Sequence, residues 1–313
     1  MPPPPAPEPP PALPALAEAP ILASRRRDAP LRGIGLILLS TAFLAISDVA
    51  SKHLAASVPV LQISWLRFGA FLAIMAAVVL RGGGRQLRTR RPLLHVLRGI
   101  GLVASSVVFV SSLRYLPIAD ATATSFVTPL FVTALSIPLL GEKVGWRRWT
   151  ATTIGLVGVL VIVRPGGEGF QAASLLPVAS ALAWAFALIM TRMMSDTEEP
   201  VTTLAWSAMI GFAVLTLLLP LHWQMPTRET LLIGLFIGVA STIGHWLVIL
   251  GFRHADASLL APFSYTQLLG VSVLGYFVFS VLPDLWTLVG SAIIAGSGLY
   301  TAHRERIRAR MPA

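Results

Sequence analysis

The sequence contains no cysteine, which excludes disulfides and thiolate metal sites. Charge is scarce as well. Only 12% of the 313 residues are Asp, Glu, Lys or Arg, against roughly 25% in an ordinary soluble domain, so a soluble globular fold is a poor fit. Acidic residues are the rarer sign, 14 against 24 cations, for a net charge of +10. That balance alone would admit nucleic acid as a partner, but no basic face interleaved with exposed aromatics exists, and none is expected to bind. The cations cluster instead in short loops and tails beside apolar runs. No His/Asp/Glu group has metal-ligand spacing. Gly82-Gly83-Gly84 lacks the flanks of a phosphate loop and no Walker motif is present, so ATP-driven action is unsupported. No nucleophile sits in a recognisable elbow. No cofactor, metal or catalytic residue is therefore expected.

What the chain has is apolar length. Mean hydropathy is +0.75, and ten apolar stretches fill Leu31 to His303. A helix needs ~20 apolar residues to cross a hydrocarbon core, and lipid forces the backbone to satisfy its own hydrogen bonds. Spans are expected at 33–52, 61–80, 93–113, 119–140, 149–164, 171–191, 201–220, 230–251, 257–280 and 284–302. The fold class is all-α integral membrane. Such a chain, without an attached soluble domain, is most simply a device for moving something across the bilayer. Residues 1–30 are Pro/Ala-rich and read as a disordered tail. Arg25-Arg26-Arg27 precede a first span too long for a signal-peptide core, which reads as a retained anchor.

With the N-terminus inside, eighteen Lys and Arg lie on the inner side and five on the outer side or outer span ends, with Arg98 inside the third span. This positive-inside bias places both termini, including the basic tail 304–313, in the cytoplasm of an inner (plasma) membrane. A repeat is also visible. Ala119-Asp120-Ala121-Thr122 opens the fourth span and Ala255-Asp256-Ala257-Ser258 the ninth, each after an Arg-containing break and before one proline, Pro129 or Pro262. The halves are 31–165 and 171–303. Five spans is an odd number, so the second half would lie inverted, with a site near the midplane between halves. Chance likeness among Ala- and Leu-rich spans is the plainer alternative.

The run PLLGEKVGWRRWTATTIGLVGVLVIVRPG (138–166) resembles the end of an EamA repeat of the drug/metabolite transporter superfamily, as does SLLAPFSYTQLLGVSVLGYFVFSVLPDLWTLVGSAIIAGSGLY (258–300). DVASKHL with Pro59, Gln62 and Arg67 is similar to the opening of the same proteins. The resemblance implies ten helices around a central cavity lined mainly by helices one, three, four, six, eight and nine. It implies substrates such as amino acids, S-adenosylmethionine and riboflavin, the DVASKHL opening leaning toward uptake of the last two. One departure is Ser280-Val281, where relatives carry Gly-Glu. Glu142 of the first repeat therefore reads as a packing or loop-anchoring group.

Ionisable groups inside spans mark sites or pathways by default. Asp48 and Lys52, four apart, share one face and are close enough to pair. They read as a gate or coupling pair, or as a neutralised pair at the outer interface with Lys52 snorkelling. Arg67, five residues into the second span, reads as interfacial. Arg98, Ser105, Ser106 and Ser112 form one polar stripe suited to an anionic or carboxylate-bearing solute, although serines also serve helix packing. Thr122, Thr124, Ser125 and Thr128 give span four a hydroxyl-rich start. Trp184, His245, Trp246, Tyr265 and Gln267 add mid-depth aromatic and polar groups that a planar or amphipathic solute needs. His245 reads as a proton-responsive switch or as a packing histidine. Trp65, Trp146, Trp149, Trp223 and Trp286 read as the interfacial belt.

The expected function is secondary transport of a small organic metabolite across the inner membrane by alternating access. An amino-acid or drug exporter of the same fold is the alternative. From another class, so is a membrane enzyme or lipid-handling protein using Asp48, Arg98 and His245, but those groups are scattered singly rather than gathered at one depth. Expected partners are the small-molecule substrate and the bilayer. The sequence allows a homodimer without requiring one.

Overall fold

The structure, a computed structural model, describes residues 30–84, 87–141, 146–165, 171–194, 197–252, 254, 260 and 263–310. Regular structure among them is entirely helical: α1 (Pro30–Ala55), α2 (Val60–Arg81), α3 (Pro92–Ser112), α4 (Ile118–Ser125), α5 (Thr128–Leu140), α6 (Trp146–Val163), α7 (Leu175–Met194), α8 (Pro200–Leu218), α9 (Arg228–Phe252), α10 (Thr266–Phe279) and α11 (Leu285–Arg310). Prolines mark the starts. Pro59 and Pro117 stand at the N-caps of α2 and α4, and Pro92 and Pro200 open α3 and α8, where a missing N–H costs no helical bond. Seven segments among the described residues are long and apolar enough to cross a membrane. Three shorter apolar helices, Thr153–Val163, Thr266–Phe279 and Leu285–Ser297, fall where the fifth, ninth and tenth spans are expected. The tail before Pro30, Glu142, Ala255–Ser258 and Pro262 lie outside the described residues.

The stretch 119–140, expected as one continuous helix, is broken in two. α4 ends at Ser125 and α5 begins at Thr128, with Phe126 and Val127 between. Pro129 has no N–H to offer the Ser125 carbonyl, and the Thr128 hydroxyl donates to that carbonyl instead, at 2.8 Å. The segment before α10 does the same. The chain turns at Tyr265, and the Thr266 hydroxyl donates to the Phe263 carbonyl at 2.6 Å. Both breaks leave an aromatic, Phe126 or Tyr265, at the discontinuity.

The helices pack mostly between the first and second halves of the chain. α1 lies along α9 and α10, α3 along α7 and α8, α2 along α8 and α9, α5 along α7, and α6 along α11. Since lipid tails are as apolar as leucine, close backbone approach and polar contacts carry such association. α6 and α11 meet at Gly158 and Gly290: a Cβ on Gly290 would stand 2.5 Å from the Gly158 carbonyl oxygen. Ser40 donates to the Gly244 carbonyl at 2.9 Å and Ser47 to the Ile237 carbonyl at 3.2 Å, tying α1 to α9.

Loop connections are tied just as specifically. The Glu198 carboxylate, before α8, accepts from the Thr89 hydroxyl and the Arg90 amide, both at 2.9 Å. Its other oxygen lies 3.6 Å from His95 Nε2, and both side chains are almost wholly enclosed. His95 stacks on Trp206 at 5.7 Å, and Trp206 donates to the Leu87 carbonyl at 3.1 Å. Burial pushes the Glu198 carboxyl up, but the Arg90 amide, the Thr89 hydroxyl and His95 outweigh it and hold the group below the usual range.

α5 and α10 each end in a left-handed residue, Gly141 (φ 67°) and Ser280 (φ 55°). Glycine adopts this conformation freely, whereas a side chain there costs roughly 1 kcal/mol. Ser280→Gly is expected to raise the unfolding temperature in detergent, and Gly141→Ala, whose methyl meets no atom of the described residues within 4 Å, to lower it through backbone strain. A thermal-shift comparison with wild type checks both signs. Glu198→Gln is expected to destabilise by roughly 1–3 kcal/mol at neutral pH. A carboxyl depressed on folding contributes stability above its unfolded pKa of roughly 4.3 and loses it as pH falls through the folded value. The gap between wild type and variant should therefore persist at neutral pH and close as pH falls below about 4, read as melting temperature against pH.

Candidate functional site

A cavity of about 450 Å³ lies among α1, α2, α3, α4, α7, α9 and the start of α10, within the range of small-molecule sites. Its walls are mainly apolar, with rings from Phe68, Phe71, Phe109 and Phe126 and a small set of polar groups. Of the residues singled out from the sequence, Asp48, Arg98, Ser105, Thr122, Trp184, His245, Tyr265 and Gln267 line it.

Two do not. Lys52 was expected to pair with Asp48. Its ammonium instead donates to the Leu113 and Leu116 carbonyls at 3.0 and 2.7 Å, over the Phe279 ring. The unsatisfied carbonyls at the end of α3 outcompete a carboxylate one turn back on its own helix. Lys52 thus borders a smaller, separate cavity of about 260 Å³ together with Arg114. Trp246 packs among Met75, Leu204 and Ala208, because it lies about 100° around the helix from His245.

Asp48 is 6% exposed and accepts from Gln267 Nε2 at 2.9 Å, so α10 orients a carboxylate carried by α1. Arg98 is deeply committed to the second half. Its Nε donates to Thr191 at 2.8 Å, and Nη1 donates to the Ser207 hydroxyl and reaches the Thr203 carbonyl. Ser180 donates to the Ser105 carbonyl at 2.8 Å, which leaves Ser105 to donate to the Ser180 hydroxyl at 3.1 Å. Among the described residues, the buried hydroxyl oxygens of Ser106 and Thr122 have no hydrogen-bond partner although both residues line the cavity. Buried hydroxyls normally find one, so these two are available to a solute or water.

The aromatics are paired across helices. Trp184 and His245 meet edge to face at 5.8 Å, and Phe126 and Tyr265, at the two helix breaks, meet at 5.1 Å with planes 75° apart. His245 Nδ1 lies 2.7 Å from the Ser241 carbonyl. A carbonyl only accepts, so the ring proton sits on Nδ1.

Arg67 lines the cavity too, although its position near a span end had suggested an interfacial role. α2 presses its backbone at Arg67 against Gly238 of α9, and the side chain leaves that contact toward the interior. Ser180, Ser241, Thr242 and Ser264 also line the cavity. Single hydroxyls on apolar helices carry no sequence signal that separates cavity lining from helix packing. Among the described residues no group of three His, Asp or Glu could hold a metal ion.

A model of the EamA-like transporter family matches residues 31–164 and 171–301. The S-adenosylmethionine uptake transporter of Rickettsia bellii is 30% identical over 274 residues, covering 88% of this chain and 94% of that protein. The riboflavin transporter of Vibrio cholerae is 31% identical over 288 residues, covering 90% and 96%. The pseudopaline exporter CntI of Pseudomonas aeruginosa is 24% identical, covering 84% and 93%. A solved crystal structure superposes with a TM-score of 0.63 at 23% identity, covering 88% of this chain and 99% of that one, and so shares the fold. Matched by the family model over nearly its whole helical length, and by transporters over almost their full lengths, the chain belongs to the EamA-like transporter family and is a multi-pass membrane transporter rather than an enzyme.

Proposed function

We propose that this protein is an inner-membrane secondary carrier that takes up a small heteroaromatic metabolite of the S-adenosylmethionine or riboflavin kind through the α1/α3/α7/α9 cavity. In this reading ten helices cross the membrane as two inverted five-helix halves, 31–165 and 171–303, with both termini cytoplasmic. The family match over two successive stretches supports the two-copy reading. So does the packing, in which partners exchange between halves. α1 on α9 has its counterpart in α7 on α3, α2 on α9 in α8 on α3, and α1 on α10 in α7 on α5. The matched breaks at Phe126 and Tyr265 and the matched left-handed ends at Gly141 and Ser280 follow the same exchange. Two such halves around one pocket suit alternating access.

The observation that carries the substrate reading is the lining itself. Ring pairs provide flat apolar surface, and a few ionised and hydroxyl groups provide orientation, which fits a planar ring bearing a polar arm. Purified protein in proteoliposomes is expected to accumulate labelled S-adenosylmethionine or riboflavin, with Trp184→Ala lowering uptake at least about tenfold, the weight of a lost buried ring. Failure to move either compound, in vesicles of both orientations and with or without a proton gradient, would refute the reading.

A further inference from the structure

The cavity holds two guanidinium groups, and they are not equivalent. Arg98 is consumed by structure, its Nε and Nη1 engaged with Thr191, Thr203 and Ser207 on α7 and α8. Arg67 makes no hydrogen bond and no ion-pair contact among the described residues, yet it lines the same cavity as Asp48 and His245. Asp48 is the one carboxylate among the described residues lining the cavity. It is already oriented, with Gln267 donating to one of its oxygens.

Asp48 and Arg67 thus face the same space from α1 and α2 as two opposite charges, each short of direct partners of its own kind. A desolvated guanidinium in an apolar surround is costly unless paired. Its planar fork is matched best by a carboxylate, which accepts two parallel hydrogen bonds. A buried carboxylate is matched by an ammonium or another compact cation.

Resting on the carrier reading above, we propose that Asp48 and Arg67 form a two-headed site for the α-amino-acid end of the substrate, Arg67 holding its carboxylate and Asp48 its ammonium. The flat end of the solute then lies toward Trp184 and the Phe126–Tyr265 pair. Arg98 holds the helices around the site and does not read the substrate. A metabolite lacking both charges, such as riboflavin, would desolvate both groups and compensate neither, so the site selects an amino-acid conjugate of a heteroaromatic ring. S-adenosylmethionine has that chemistry.

The test is binding to the purified full-length protein, with uptake measured in the same preparations. The probes are S-adenosylmethionine, its decarboxylated analogue, methylthioadenosine and riboflavin. Wild type is expected to bind S-adenosylmethionine at least about tenfold more tightly than the decarboxylated analogue, the weight of one charge-assisted pair, and methylthioadenosine more weakly than S-adenosylmethionine. Arg67→Gln should abolish that preference by weakening S-adenosylmethionine alone, and Arg67→Lys should restore part of it. Equal binding of the carboxylated and decarboxylated forms by wild type, a measurement that needs no variant to fold, would overturn the assignment. So would an Arg67→Gln protein that loses both ligands to the same extent. Riboflavin uptake without binding of S-adenosylmethionine overturns the assignment and leaves the carrier reading standing. Transport of none of the four overturns both.

Discussion

Within a hydrocarbon slab, apolar side chains gain little by leaving lipid for another helix, so the arrangement of this protein depends on polar groups that reach across from one helix to the next. These contacts run between the first and second halves of the chain with great regularity. Ser40 and Ser47 bind carbonyls of α9, Asp48 is bound by Gln267, Arg98 binds Thr191 and Ser207, and Ser105 is joined to Ser180. Toward the far ends of the helices Asp120 accepts from Thr287 at 2.6 Å, and Arg164 meets Asp284 at 2.6 Å. Glycines at the α6–α11 crossing add close backbone approach. Each half therefore finds its binding partners in the other, and the space left between them is the cavity.

That cavity inherits its chemistry from the same contacts. Where a polar side chain is satisfied by the opposite half, as in Arg98 or Ser180, it fixes helix positions. Where it is left without a neighbour, as in Ser106 and Thr122, it faces the interior and is open to a solute. The helix breaks contribute in a different way. A proline at position 129 interrupts the backbone ladder of the α4–α5 segment, and the chain turns at the corresponding place before α10. Phe126 and Tyr265 are delivered to the interior at those points rather than to lipid. The end ties, Glu198 with Thr89 and His95 near the start of α3, and Lys52 with the carbonyls beyond its end, lie roughly 30 Å apart along that helix.

Much of this was legible in the residues. Apolar length marks the spans, because desolvation of the backbone acts on composition alone. Isolated ionisable or aromatic groups deep in a span, such as Asp48, Arg98, Trp184 and His245, point inward for the same reason. What the sequence could not reveal is helix rotation and competition for partners. Trp246 has the same depth as His245 but faces α2 and α8. Lys52 has the spacing to reach Asp48 but finds two free carbonyls first. Arg67 sits near a span end, where snorkelling is the ordinary outcome, and yet lines the cavity, its backbone lying against Gly238 of α9. The break at Phe126 was foreshadowed by Pro129, yet a proline in a membrane span does not by itself say whether the helix bends or stops.

The central claim is that one cavity between two inverted halves opens to each side of the membrane in turn. The natural absence of cysteine makes a direct measurement possible: Ser106→Cys, with a single thiol in the cavity wall, probed by a membrane-impermeant maleimide in right-side-out and inside-out vesicles. Labelling is predicted from both faces, with protection by substrate, while a control cysteine at Arg88 reacts from the cytoplasmic face alone. Labelling of position 106 from one face only, or from neither, would contradict the account.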